Sequence, residues 1–235
     1  ADDAMDDDDA MDDDDAVDDD DSATSFPEAQ GALSTANAVG RTGAFFVPER
    51  SGPVPYVLLF HATGSSGQGI LGGWVDAARA GGFALVAPDS RVSPQGDYTW
   101  EVVTDPGEIT PDLLHAQACL EEVLAMDAPL DEGFVLTAGH SGGASSAPYL
   151  ASNDARFTAF GVLHGGVFTG GLGSERPRAW LSTGEDDAIR PPAKLEGYVA
   201  PLEALGFDVT LQVFPGDHGV STAERDALLS WWLAD

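Results

Sequence analysis

The run Phe134-Val135-Leu136-Thr137-Ala138 is followed directly by Gly139-His140-Ser141-Gly142-Gly143, a G-x-S-x-G pentapeptide. At the end of a strand and the start of a helix, this pentapeptide forms a sharp turn that points the serine hydroxyl outward. Glycines flank the serine because the turn is crowded and strained. The small residues at 144–147 allow the next helix to pack closely. The segment therefore predicts a strand–turn–helix unit with Ser141 as an exposed nucleophile.

Strands and helices alternate along the rest of the chain. We predict strands at 42–47, 54–60, 83–87, 134–138, 157–163, 178–182 and 207–214, and helices at 68–80, 111–126, 142–152, 192–205 and 221–233. Near-continuous apolar strands are typical of a parallel sheet that is buried on both faces. The alternation therefore predicts an α/β protein whose central sheet is mostly parallel, with helices on both faces.

Polar residues that could carry chemistry follow three of these strands. Ser141 follows one strand, Asp186 and Asp187 follow the strand at 178–182, and His218 follows the last strand. Active sites in such sheets lie beyond the carboxyl ends of the strands. A serine hydroxyl needs a base to take its proton, an imidazole supplies that base, and a carboxylate fixes the tautomer of the imidazole. The spacing leaves either aspartate available for the third role.

Five short segments together resemble the α/β-hydrolase superfamily, and within it the secreted esterases of the polyhydroxyalkanoate depolymerase, feruloyl esterase and polyester hydrolase type. They are His61-Ala62-Thr63-Gly64, Ala87-Pro88-Asp89, the pentapeptide at 139–143, Gly184-Glu185-Asp186-Asp187 and His218-Gly219. The resemblance covers residues 40–235. The order Ser, Asp, His is the order of this superfamily. A Gly-x-x-Asp pattern followed by a proline favours Asp187 over Asp186, so the resemblance implies a Ser141–His218–Asp187 triad.

The resemblance also implies an oxyanion hole and an open site. The backbone N–H groups of Thr63 and Gly142 are the expected donors, although Ala62 replaces the usual glycine of the oxyanion loop. Cap domains of the superfamily are inserted after the strand that ends here at Leu163, and only residues 164–177 are available there. We therefore expect an α/β-hydrolase fold with no cap domain and a shallow site that suits bulky or polymeric esters.

Three aromatic residues are candidates for binding the substrate. Trp100 and Tyr98 lie in the loop after the strand at 83–87 and could form an aromatic wall of the site. Ordinary packing is the alternative for both. His164 follows a strand end and could line the pocket or play a structural part. His140, inside the pentapeptide, is interpreted as a packing or polar neighbour of Ser141.

Charge and composition limit the other possibilities. The chain has 235 residues and a formal net charge of −30, and residues 1–21 hold 14 of its 40 acidic residues. Nucleic acid is an unfavourable partner because like charges repel. We predict that residues 1–22 are a disordered aspartate-rich tail and that residues 23–235 form the catalytic domain. The tail is interpreted as a solvating spacer; a tether to a lipid or a cell surface and a calcium-binding segment are alternatives.

The remaining expectations concern ligands and location. The chain has one cysteine, so an intrachain disulfide cannot form. It has no stretch of 18 apolar residues, so no membrane span is predicted. We expect no cofactor and no metal, because no paired Cys/His spacing is present. We also expect a monomer that is secreted or held at the cell surface.

The sequence thus predicts a serine ester hydrolase that works through an acyl-enzyme intermediate. A serine peptidase or amidase on the same fold is one alternative, and a non-catalytic surface-binding module is another. Activity on matched esters and amides separates the first two, and covalent labelling of Ser141 by a fluorophosphonate separates both enzymes from the binding module.

Overall fold

A computed structural model describes residues 25–34, 41–93, 96, 98–101, 105, 109–126, 128, 130–167 and 169–234, without the side chains of Tyr98 and Leu130. The prediction of a disordered tail at 1–22 lies outside the described residues.

An eight-stranded sheet forms the centre of the protein. Its strands are β1 (Ala29–Ala32), β2 (Gly43–Val47), β3 (Val54–Phe60), β4 (Ala84–Pro88), β7 (Leu130–His140), β8 (Ala159–Leu163), β9 (Arg178–Gly184) and β10 (Val209–Phe214). Their spatial order is β1-β2-β4-β3-β7-β8-β9-β10. Six neighbouring strands of this sheet run parallel: β4, β3, β7, β8, β9 and β10. At one edge, β2 pairs antiparallel with β4, and β1 pairs antiparallel with β2. A separate antiparallel ribbon joins β5 (Arg91–Val92) and β6 (Tyr98–Thr99).

Helices cover both faces of the sheet, as the sequence predicts. The helices are α1 (Gly67–Gly72), α2 (Val75–Gly81), α3 (Pro111–Leu124), α4 (Ser146–Asn153), α5 (Pro192–Ala204) and α6 (Thr222–Leu233). Apolar residues of α3, α4 and α5 pack on one face of the sheet, and those of α1, α2 and α6 pack on the other. Strand β3 shows why both faces need cover, because Tyr56 and Leu58 enter the first core while Val57 and Leu59 enter the second.

Local departures from the sequence prediction have identifiable causes. The single helix expected at 68–80 is two helices, since Gly72 and Gly73 interrupt it with poor helix formers. The helix expected from 142 starts at Ser146, because a 3₁₀ turn at Ser141–Gly143 precedes it. Strand β1 and the ribbon of β5 and β6 were not predicted, since they are short and lack an alternating apolar pattern.

The parallel strands bring distant residues to one edge of the sheet. β7 ends at His140, β9 ends at Gly184 and β10 ends at Phe214, and Ser141, Asp187 and His218 follow these ends. The loop from β8 to β9 contains, among its described residues, one 3₁₀ turn at Thr169–Gly171 and no α-helix. Within the described part of the chain, every helix is too short or too polar to cross a bilayer.

Candidate active site

Ser141 sits on a strained turn between β7 and α4. Its backbone φ is 51°, in the left-handed region that a non-glycine residue rarely adopts. The turn packs directly on the end of β3, since a Cβ on Gly143 would come within 2.4 Å of the His61 carbonyl oxygen and 2.5 Å of the Phe60 carbonyl oxygen. Only glycine fits at that position. The surrounding backbone therefore holds the strained serine in place and leaves its side chain half-buried at the edge of the sheet.

Ser141, His218 and Asp187 meet in one chain of hydrogen bonds. The Oγ atom of Ser141 lies 2.8 Å from Nε2 of His218, and Nδ1 of His218 lies 2.8 Å from Oδ2 of Asp187. The side chain of His218 is 22% exposed and that of Asp187 is fully buried. Because a carboxylate only accepts, Nδ1 of His218 carries a proton and Nε2 is free to accept the proton of the serine. The arrangement can therefore generate a serine nucleophile.

The structure places Asp187, and not Asp186, against His218. Oδ1 of Asp187 accepts hydrogen bonds from the backbone amides of Ile189 at 2.8 Å and Arg190 at 2.7 Å. Burial alone would raise the pKa of Asp187, but these amide bonds and the two imidazole bonds to Oδ2 outweigh it and hold the pKa well below its usual range. Asp186 is exposed, and its backbone amide binds the Gly216 carbonyl. Asp187 is thus fixed as a buried anion.

The two predicted oxyanion donors lie side by side. A Cβ placed on Gly142 would lie 2.2 Å from the hydroxyl of Thr63 and 3.2 Å from its backbone nitrogen. Both residues are exposed at the same edge of the sheet as Ser141. Thr63 and Gly142 are therefore in direct contact, as expected of two residues whose backbone amides bind the same substrate oxygen.

Solved structures resemble this chain in fold. Esterase PE8 has a TM-score of 0.62 at 22% identity, with 82% of this chain and 99% of that chain covered. FphF, a fluorophosphonate-binding serine hydrolase of Staphylococcus aureus, has a TM-score of 0.67 at 14% identity, with 89% and 100% covered. A bacterial heroin esterase has a TM-score of 0.62 at 18% identity, with 86% and 82% covered. The chain has the α/β-hydrolase fold. No protein-family model and no curated protein sequence matches it.

Two further histidines support the site of this α/β-hydrolase fold. Nε2 of His140 donates to the backbone carbonyl of His218 at 2.9 Å, so His140 holds the loop that carries His218. His61 is fully buried, donates from Nδ1 to the Ala62 carbonyl at 2.8 Å and accepts at Nε2 from the Ser90 amide at 3.0 Å. Burial lowers the pKa of both imidazoles, which favours the neutral rings that these bonds require.

His164 lies behind the triad and does not face the open edge. The residue is 1% exposed. Its Nδ1 lies 2.8 Å from Oδ2 of Asp187, and its Nε2 lies 3.0 Å from Oε2 of Glu224. Direct contact with a substrate would require the ring to leave both carboxylates. Glu224 was not predicted from the sequence. Its only signal is the Ser221-x-x-Glu224 pattern at the start of α6, and its side chain points inward to His164 and Ser182.

Trp100 is packed under the loop after β3, where the sequence predicts an oxyanion donor. It is 5% exposed, its indole nitrogen donates to the His61 carbonyl at 2.7 Å, and its ring contacts Phe60 and His61. These contacts favour the packing alternative over an aromatic wall. The side chain of Tyr98 lies outside the described residues.

One group of side chains has the composition of a metal site. Ligand atoms of His164, Asp187 and His218 lie within 4.8 Å of one another. This proximity follows from two hydrogen bonds, because the Nδ1 atoms of both histidines donate to the same oxygen of Asp187. These two hydrogen bonds account for the proximity of the three side chains.

Proposed function

We propose that the protein is a serine hydrolase that cleaves carboxylic esters through an acyl-enzyme intermediate. One observation carries the proposal: Ser141, His218 and Asp187 form a continuous chain of two 2.8 Å hydrogen bonds at the carboxyl edge of the sheet. The fold likeness to esterases and serine hydrolases supports it.

Each residue has a defined part in the proposed reaction. His218 takes the proton of Ser141 as Oγ attacks the ester carbonyl, and Asp187 stabilises the imidazolium that forms. The amides of Thr63 and Gly142 bind the oxyanion. His218 then protonates the departing alcohol. His218 then takes a proton from a water molecule as the water oxygen attacks the acyl carbonyl. It passes that proton to Oγ of Ser141 as the bond between Oγ and the acyl carbon breaks and the carboxylic acid leaves.

We propose bulky, aryl or polymeric esters as the substrates. Support comes from the short connection between β8 and β9 and from the exposure of Thr63 and Gly142, which leave the nucleophile accessible from the open edge. Poor activity on every polymer and bulky ester, together with high activity on one very small ester, would reject this substrate class.

Two assays test the proposal. A fluorophosphonate should label wild-type protein at Ser141 and leave Ser141→Ala unlabelled. Matched p-nitrophenyl butyrate and p-nitroanilide butyrate should then be compared by kcat/KM, and the ester should be preferred. Wild-type protein that neither labels nor hydrolyses any ester would exclude the enzyme, and a preference for the anilide would assign an amidase.

A further inference from the structure

A second imidazole–carboxylate pair continues the hydrogen-bond chain beyond the triad. His164 follows β8 and Glu224 lies in the first turn of α6, and both are 1% exposed. His164 binds Oδ2 of Asp187 through Nδ1 and Oε2 of Glu224 through Nε2. The reaction proposed above needs neither residue, so their burial beside Asp187 calls for a separate explanation.

Hydrogen-bond counting gives the protonation of this pair. Oε1 of Glu224 accepts from the Ser182 hydroxyl at 2.6 Å, and that hydroxyl in turn accepts from the Trp180 indole at 2.9 Å. The Ser182 proton is therefore committed to Glu224, which acts as an acceptor. The N-terminus of α6 also favours a negative charge in its first turn. An ionised carboxylate can only accept hydrogen bonds, so with Glu224 and Asp187 both ionised, the two nitrogens of His164 that face them both carry protons.

The groups facing His164 agree with a positive charge on its ring. Asp187 and Glu224 lie against its two nitrogens, while the rings of His140 and His218 lie with centroids 5.7 Å and 5.5 Å away. Burial alone would lower the pKa of His164, but the hydrogen bonds and charges of Glu224 and Asp187 outweigh it and raise the pKa. The charge of the ring offsets one of two buried negative charges.

The backbone at His164 is held as firmly as the turn at Ser141. His164 has a φ of 52°, again in the left-handed region. Its amide donates to the Ser182 carbonyl at 2.8 Å. A Cβ on the next residue, Gly165, would come within 2.0 Å of the Ala144 Cβ and 3.2 Å of the Ser141 carbonyl oxygen. Strained residues persist where the surroundings fix them, and here the strain directs the ring at Asp187.

We infer that His164 is a positioning residue of the hydrolase: as an imidazolium clamped by Glu224, it holds the carboxylate of Asp187 in the orientation that His218 requires. This inference rests on the proposed function. Two backbone amides fix one oxygen of Asp187, and both His164 and His218 donate to the other. The Thr183 hydroxyl lies 3.1 Å from that second oxygen but is closer, at 2.6 Å, to the Arg190 carbonyl. Loss of His164 leaves Asp187 able to turn away from His218, which misaligns the base without touching the substrate.

The first test measures kinetics with p-nitrophenyl butyrate. His164→Gln removes the charge and leaves an amide that can reach at most one of the two carboxylates. We expect kcat to fall about 10–100-fold, the size of loss that a small misplacement causes, with KM within about threefold. His115→Gln is the matched control, because His115 is also buried but binds the Thr42 carbonyl away from the site. It should lower the melting temperature and leave kcat within threefold.

The second test reads the charge directly and does not depend on activity. The chain has five histidines, so ¹⁵N-histidine NMR needs to distinguish only five rings. At pH 7, both ring nitrogens of His164 should be protonated, and these signals should vanish in His164→Gln. Should that variant fail to fold, Glu224→Gln removes the clamping charge while keeping the shape, and it should reduce kcat with KM unchanged and release one proton from His164.

Each result decides something different. Kinetics in which His164→Gln keeps kcat within threefold of wild type, or loses no more than His115→Gln, overturn the positioning role. A His164 ring with only one protonated nitrogen at pH 7 would contradict the proposed positive charge on His164. Wild-type protein that leaves Ser141 unlabelled overturns the proposed function instead, and the NMR result still stands on its own.

Discussion

Replacing Asp187 by asparagine keeps the shape of the side chain and changes its charge and its hydrogen bonding. Oδ1 of Asp187 accepts two backbone amides, so the asparagine carbonyl must occupy that position and its NH₂ group must take the place of Oδ2. The NH₂ group then faces Nδ1 of both His218 and His164 as a donor, so both rings lose the acceptor that they share. His218 must accept there and carry its proton on Nε2, where it can no longer accept from Ser141. Asp187→Asn thus produces the wrong tautomer as well as losing a charge.

The expected loss follows from these two effects. An imidazolium and a carboxylate about 4 Å apart attract by about 4 kcal/mol at an effective dielectric constant of about 20, which is about 10³-fold in rate. The tautomer adds to this, and we expect kcat to fall about 10³–10⁴-fold with KM little changed. The assay is kcat and KM on p-nitrophenyl butyrate, with circular dichroism to show that the variant folds. Asp186→Asn, at the exposed neighbour, should stay within twofold.

A folded Asp187→Asn variant that keeps more than about a tenth of wild-type kcat would show that neither the charge nor the tautomer matters. An Asp186→Asn variant that loses as much activity as Asp187→Asn would refute the assignment of the catalytic carboxylate to Asp187.

Four further outcomes are expected. Ser141→Ala and His218→Ala should each lower kcat about 10⁶-fold and add little when combined, because the triad acts as a unit; additive losses would contradict this. The stability from His164 is fully present below about pH 6.5 and lost as pH rises through its raised folded pKa, so the melting-temperature gap between wild type and His164→Gln should narrow from pH 6 to 9. Trp100→Phe breaks an indole bond to the oxyanion loop and should cost about 1–3 kcal/mol in denaturant unfolding without changing acyl preference. Deletion of residues 1–22 should leave kcat within twofold, since every site contact described above is made by residues 60–224; a larger fall would assign the tail a catalytic part.

The fold could be predicted from the sequence because its strands are buried on both faces. Such strands are nearly continuous runs of apolar residues, as in Val54–Phe60, and the intervening helices have capping residues or glycine ends. Strand β1 could not be found this way. It pairs with β2 at the edge of the sheet, and three of its four residues are exposed, so it has no apolar run to detect.

Site residues were predictable where chemistry and strand ends coincide. Ser141, Asp187 and His218 each follow a parallel strand, and the structure brings them within hydrogen-bonding distance. Glu224 follows no strand, and its pattern with Ser221 also suits an ordinary helix cap. The Ser221 hydroxyl does accept from the Glu224 amide, but the Glu224 side chain turns inward to His164 and Ser182. Only the three-dimensional packing of α6 against β9 decides between those two uses.

The hydrogen bonds around Asp187, His164 and Glu224 link the stability of the protein to its proposed catalysis. Asp187 accepts from two backbone amides and two imidazoles, so it cannot rotate without breaking several bonds at once. In the proposed reaction, proton transfer between Ser141 and His218 therefore needs no rearrangement of the carboxylate, which is how a preorganised site lowers a barrier. This rigid arrangement buries the carboxylates of Asp187 and Glu224. The positive charge of a protonated His164 offsets part of the free-energy cost of burying them. It follows that variants at Glu224 should change stability and kcat together, whereas His115→Gln should change stability alone.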